Sequence, residues 1–94
     1  MGIRFEWNAR KARQNRQKHS VSFDEATTVF GDPLSSTIPD PLHSAFGEER
    51  FVTVGLSTLG HLLVLVHLDW EDEVRIISAR RATAHERRDY EEAF

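Results

Sequence analysis

The chain contains no cysteine. A disulfide framework is therefore excluded, any structural zinc site would have to use histidines and carboxylates alone, and a reducing cytoplasm is the expected compartment. Long hydrophobic runs are also missing. The longest, Leu62 to Val66, is far shorter than the roughly 20 residues a membrane span needs. No signal-like segment opens the chain, so no membrane partner is expected. A glycine-rich phosphate loop, a His-Glu-x-x-His helix and an acidic calcium loop are all absent, which removes the commonest nucleotide-, zinc- and calcium-dependent classes.

What is present is a globular composition: 94 residues, 39% apolar and 29% charged, with two tryptophans and six phenylalanines. That is one domain, residues 1–94, near the lower size at which a single core suffices. The net charge of −3 would ordinarily argue against a nucleic-acid partner, but the charges are segregated. Arg4, Arg10, Lys11, Arg13, Arg16 and Lys18 face only Glu6 before His19, whereas Val21 to Glu49 carries six acids and no Lys or Arg. Asp69, Glu71, Asp72 and Glu73 form a second acidic block, and five arginines sit among four acids from Arg75 onward. If the two ends of the chain meet on one side, they form a basic pole. The competing reading is an ordinary solvated helix surface.

Alternation over Arg4-Phe5-Glu6-Trp7 predicts a short first strand. Asn8 is a good N-cap for a helix to about His19, rich in strong helix formers. The thin apolar stripe of Ala9 and Ala12 continues through Asn15, Arg16 and His19, so His19 is expected to point toward the body. Lys11, Asn15 and Lys18 form a neighbouring polar stripe. Ser22-Phe23-Asp24-Glu25 reads as a capping box, with Val21 stapled to Ala26, opening a short helix to about Phe30. Gly31-Asp32-Pro33 ends it. Leu34 to Pro41 is at best an edge strand because of its prolines, and His43 to Glu49 is a polar loop. Phe51–Leu56, Leu62–Leu68 and Val74–Ala79 are short-linked apolar runs that predict an antiparallel meander. Thr83 and Glu86 form another capping box, starting a helix that runs to Phe94 and is anchored by Tyr90 and Phe94. The expected class is α+β: a short N-terminal strand, two helices, three to four further antiparallel strands and a C-terminal helix, with helices on one sheet face and the other face open.

The remaining chemistry-bearing residues are His, Lys, Arg and Tyr. These types suit cleavage of RNA by attack of its own 2′-hydroxyl, which needs a base, cations for the phosphorane and an acid for the leaving 5′-oxygen, but neither metal nor cofactor.

Several segments together resemble the BrnT toxins: Phe5-Glu6-Trp7-Asn8, the Lys11/Asn15/Lys18-His19 pattern, Val21 to Ala26, Val29-Phe30-Gly31-Asp32-Pro33, Gly47-Glu48-Glu49-Arg50 and Arg75-Ile76-Ile77-Ser78-Ala79-Arg80-Arg81-Ala82. They run in order from Phe5 to Tyr90. The resemblance implies a RelE-like fold, a ribonuclease that cleaves mRNA and inhibits translation, and a BrnA-type ribbon-helix-helix antitoxin. That antitoxin would bind operator DNA and form a 2:2 complex with the toxin. Members of the family often carry an arginine shortly after the fourth strand, where this chain reads His67-Leu68-Asp69-Trp70-Glu71. Trp70 there either stacks on a base or marks an altered activity.

Each candidate residue has two readings. Arg80 and Arg81 lie where the last strand hands over to the last helix, placed to hold a phosphate at a helix N-terminus or to pair with Glu48 or Glu49. Lys18 and His19 close the first helix, as substrate-facing groups or as cations stabilising a helix C-terminus. His67 beside Asp69 is a candidate proton-transfer group or a strand residue with a bonded ring. Arg50 and Arg75 are phosphate contacts or structural ion pairs, and Lys11 extends the basic stripe. Tyr90 is a stacking platform or a core residue. The expected catalytic set is His19, Arg50, His67, Arg80 and Arg81, with Lys11, Lys18, Arg75 and Tyr90 binding substrate. His61 and His43 carry no expected role, and a metal site built from His61, His67 and Asp69 has no fixed ligand count behind it. The rival function is a non-catalytic module that grips an antitoxin and strengthens repression at its operator.

Overall fold

The structure is a computed structural model and describes residues 2–40, 44 and 48–93. In chain order it runs β1 (Arg4–Glu6), α1 (Ala9–His19), α2 (Phe23–Thr27) with a 3₁₀ turn over Thr28–Gly31, β2 (Ser36–Pro39), β3 (Arg50–Leu56), β4 (Leu62–Trp70), β5 (Glu73–Arg81) and α3 (Ala84–Glu92). The strands form one sheet in the order β1-β5-β4-β3-β2. β3 to β5 make the antiparallel meander expected from their short connections, β2 joins it as an antiparallel edge strand beside β3, and β1 adds to the far edge of β5 in parallel. Both capping predictions that concern main-chain donors hold: Asn8 accepts from Lys11 N–H, and Thr83 and Glu86 satisfy each other reciprocally. At α2 only half of the box forms. Ser22 accepts from Glu25 N–H, while the Glu25 carboxylate turns away to other partners.

Val21, Phe23, Ala26 and Val29 pack on Leu63, Leu65, Val74, Ile76 and Ala79 to make the core, with Phe5, Trp7, Ala12 and Phe30 against it. Ile76 and Ala79 are three residues apart, so strict alternation would place them on opposite faces. A bulge resolves this: the β4–β5 register pairs Val66 with Ser78 but His67 with Ile76, leaving Ile77 unpaired.

The second face is not left open as expected. Leu62 and Val64, on or beside that face, are 2% and 5% exposed, and α3 leans on it with Tyr90 beside Val54 and Glu86 bonded to Arg80. The Tyr90 hydroxyl donates to Asp32 at 2.6 Å, which ties α3 to the connection before β2. Phe94 and most of the loop from His43 to Glu49 lie outside the described residues. No described helix is long and apolar enough to cross a membrane.

β1 covers β5 only from Glu73 to Arg75. Beyond that point α1 lies alongside β5, and buried Asn15 serves the strand: its amide donates to Ala79 O at 2.8 Å and its oxygen accepts from Ala79 N–H at 3.1 Å. A further bond at 3.0 Å to Val21 O holds the chain after the helix. Ser20 completes the stop with φ of 59°, its N–H reaching Arg16 O.

Candidate active site

α1 carries Arg10, Lys11, Arg13, Arg16 and Lys18, all exposed, with no acid on the helix. None makes an ion pair among the described residues. Arg10, Arg13 and Arg16 follow each other at three-residue spacing, an arrangement of like charges that weakens a helix. Lys11, Lys18 and half-buried His19 line an open depression of about 250 Å³ with Gln14, Asn15, Ile77 and Ser78, so the basic stripe borders the part of β5 that β1 leaves uncovered.

Where β5 ends, four side chains from three segments meet: α2, the turn between β3 and β4, and β5. Glu25 on α2 has a side chain only 9% exposed, and its Oε2 accepts from Ser57 Oγ at 2.7 Å and from the His61 ring at 2.7 Å. Burial works to raise its pKa, but the hydrogen bonds from Ser57 and His61 outweigh it and hold the carboxyl below its ordinary value. An ionised carboxylate only accepts, so Nδ1 of His61 carries the hydrogen. Its Nε2 faces Arg81 Nη2 at 3.2 Å, and a guanidinium only donates. The His61 lone pair therefore points toward Arg81 and solvent. The ring is 33% exposed. Ser57 Oγ also accepts from His61 N–H at 3.2 Å, which fixes the turn.

His67 has the opposite setting. Its ring has no exposed surface, with Nδ1 at 2.6 Å from Asp69 and Nε2 at 2.6 Å from Thr53, whose hydroxyl lies 2.7 Å from that of Thr37. Phe30 meets it edge-on at 5.0 Å and Phe51 stacks at 6.1 Å. The expectation of proton transfer to substrate thus falls on a ring that RNA cannot touch without parting the sheet.

The other expected residues are dispersed. Arg80 is held by Glu86 through two 2.8 Å bonds, not by Glu48 or Glu49. The guanidinium, with the helix-capping bonds from Thr83, drives the Glu86 pKa down to about 2. Arg75 pairs with Glu6 at 2.7 Å, and Arg50 with Glu48 at 3.4 Å. Tyr90 is pushed up to about 12, by burial first and then by its bond to Asp32, and serves as a tie between elements. His61 and His67 stand six residues apart on one extended stretch, roughly 20 Å, so the metal grouping with Asp69 does not assemble. No group of three or more such ligands occurs among the described residues.

Residues 7–86 match the family model described as "Ribonuclease toxin, BrnT, of type II toxin-antitoxin system". The chain belongs to the BrnT family. The fold agrees: the crystal structure of the Brucella abortus ribonuclease toxin BrnT superposes with a TM-score of 0.67 over 86% of this chain and 97% of that one, at 15% identity. No curated protein sequence matches the chain. In this BrnT-family chain Trp70 is 50% exposed beside Glu48, Glu49, Leu68 and Asp69. The cluster of Glu25 and His61 has no counterpart among the residues singled out from the sequence. The only sequence signal for Glu25 was its place in a capping box, which assigned its carboxylate elsewhere. His61 follows a turn and has no partner near it in sequence.

Proposed function

We propose that this chain is the toxin of a type II toxin–antitoxin pair: a cytoplasmic endoribonuclease that cuts mRNA by 2′-hydroxyl attack, needs no metal, and is neutralised by a BrnA-like antitoxin in a 2:2 complex. The family supplies the ribonuclease expectation. The observation that carries the reading to this chain is the unpaired basic face of α1, whose mutually repelling arginines have no structural counter-ion among the described residues and suit a polyanion. RNA phosphates run along Lys11 and Lys18 past His19 and end at Arg81, the site arginine with no carboxylate partner among the described residues. Arg80 would reach a phosphate only by leaving Glu86. His67, Arg50, Arg75 and Tyr90 are assigned to holding the fold. The antitoxin covers the same basic face and so blocks RNA; operator DNA is bound through the antitoxin.

The test is induction of the protein alone in a bacterial host, with Arg81→Ala and His19→Ala beside it, following growth and mapping RNA ends. Growth arrest and new RNA ends with the wild type, weakened in equally expressed variants, are expected, and cleavage by the purified protein should persist in EDTA. Loss of cleavage on chelation would end the metal-free mechanism. The rival reading, an antitoxin-gripping co-repressor without catalysis, is favoured by Trp70 standing where relatives often carry arginine. It takes over if the folded, expressed protein is harmless and leaves RNA intact.

A further inference from the structure

We propose that His61 is the general base of this ribonuclease, with Glu25 as the residue that positions it and Arg81 as the cation that trades His61 for the scissile phosphate. The inference rests on the ribonuclease reading and assigns its proton transfer.

Three observations carry it. First, His61 has its Nδ1 hydrogen fixed by an acceptor, which leaves the deprotonated Nε2 directed at Arg81 at the exposed edge of the ring, the tautomer a base needs before it acts. Second, the carboxylate behind it is nearly enclosed and bonded also by Ser57, so an imidazolium formed during the reaction gains a fixed counter-charge. Third, the only group on Nε2 among the described contacts is Arg81, whose 3.2 Å contact is long and whose fork prefers a phosphate over a neutral imidazole. An incoming phosphodiester draws the guanidinium away and puts the ribose 2′-hydroxyl in its place. His67 shows the same ring-to-carboxylate contact but lacks any surface.

The step balances within the RNA. The 2′-hydroxyl gives its proton to Nε2 of His61, and its oxygen forms a bond to phosphorus. The bond from phosphorus to the 5′-oxygen breaks, and that oxygen leaves with a proton taken from water. The products are a 2′,3′-cyclic phosphate and a 5′-hydroxyl end. Arg81 faces the growing negative charge throughout.

The experiment measures kcat and KM for cleavage of an RNA oligonucleotide by the purified protein, for the wild type, His61→Asn and Glu25→Gln, with thermal melting of each as the fold control. Asparagine keeps a donor for Glu25 and removes the base. His61→Asn should lose roughly 100-fold or more in kcat. Glu25→Gln should lose roughly 10-fold or more in kcat with KM little changed, since an imidazolium formed in the reaction loses its fixed counter-charge. A folded His61→Asn that cleaves at the wild-type rate overturns the inference and leaves the ribonuclease reading standing. A folded wild type that cleaves no RNA removes both.

Discussion

Two histidines, one just before β4 and one within it, share one motif and differ in everything around it. In each, Nδ1 lies against a carboxylate, at 2.7 Å for His61 with Glu25 and 2.6 Å for His67 with Asp69. At His61 the acid is buried and the ring is open; at His67 the ring is buried and the acid is 39% exposed. The inversion matters because a base needs its free nitrogen at the surface and its orienting charge out of water. His67 instead completes a chain from Thr37 through Thr53 to Asp69 that crosses three strands. It pins β2, β3 and β4 together, and its polar atoms are satisfied within the sheet. A histidine beside a carboxylate is thus open to a ligand in one place and a rivet in the other, and exposure decides which.

The comparison can be broken most sharply at Arg81. Arg81→Ala should reduce RNA cleavage roughly 100-fold while leaving the melting temperature nearly unchanged, because the side chain is exposed. An equal loss of stability would make it a structural residue like Arg80. Next in size, Asn15→Ala leaves Ala79 and Val21 main-chain groups unpaired in the interior. It should cost about 2–3 kcal/mol and lower Tm by roughly 10–20 °C, read by calorimetry.

His67→Leu removes two hydrogen bonds but keeps much of the volume, and should cost about 1–2 kcal/mol with cleavage per folded molecule unchanged. A stable His67→Leu protein without activity would reverse the roles assigned to the two histidines. The smallest effect is expected at the Arg80–Glu86 pair. The folded pKa of Glu86 is about 2 against an ordinary 4.5. The pair's contribution is therefore fully present above about pH 4.5 and is lost as pH falls toward about 2. With Arg80 40% exposed, that contribution is below about 1 kcal/mol. Wild type and Glu86→Gln should accordingly melt slightly apart at pH 7 and converge as pH falls through about 2.

Much of the fold was legible because its signals are local. Asn8, Ser22 and Thr83 mark helix starts through bonds to residues three positions on, and Gly31-Asp32-Pro33 closes the turn after α2. The apolar runs announced β3, β4 and β5 because each carries its own alternation. Asn15 was placed on the inward stripe of α1, and the structure explains why a polar residue belongs there. The candidate site was less legible. Arg81 and His19 are candidates already in the sequence, whereas Glu25 and His61 are 36 residues apart in sequence and meet only when α2 is laid on the sheet. Arg80's partner was sought in Glu48 or Glu49 and lies instead on α3.

The sequence by itself determined the elements, their order, the segregation of charge onto α1 and the family, since capping, periodicity and motif order act over a few residues at a time. Only the tertiary structure decided that β1 joins β5 in parallel, that the bulge at Ile77 turns Ile76 and Ala79 to one face, and which of two histidines keeps its ring partly exposed. The reason is physical: burial and hydrogen-bond partnership are set by groups distant in the chain, and the reactivity of a histidine depends on both.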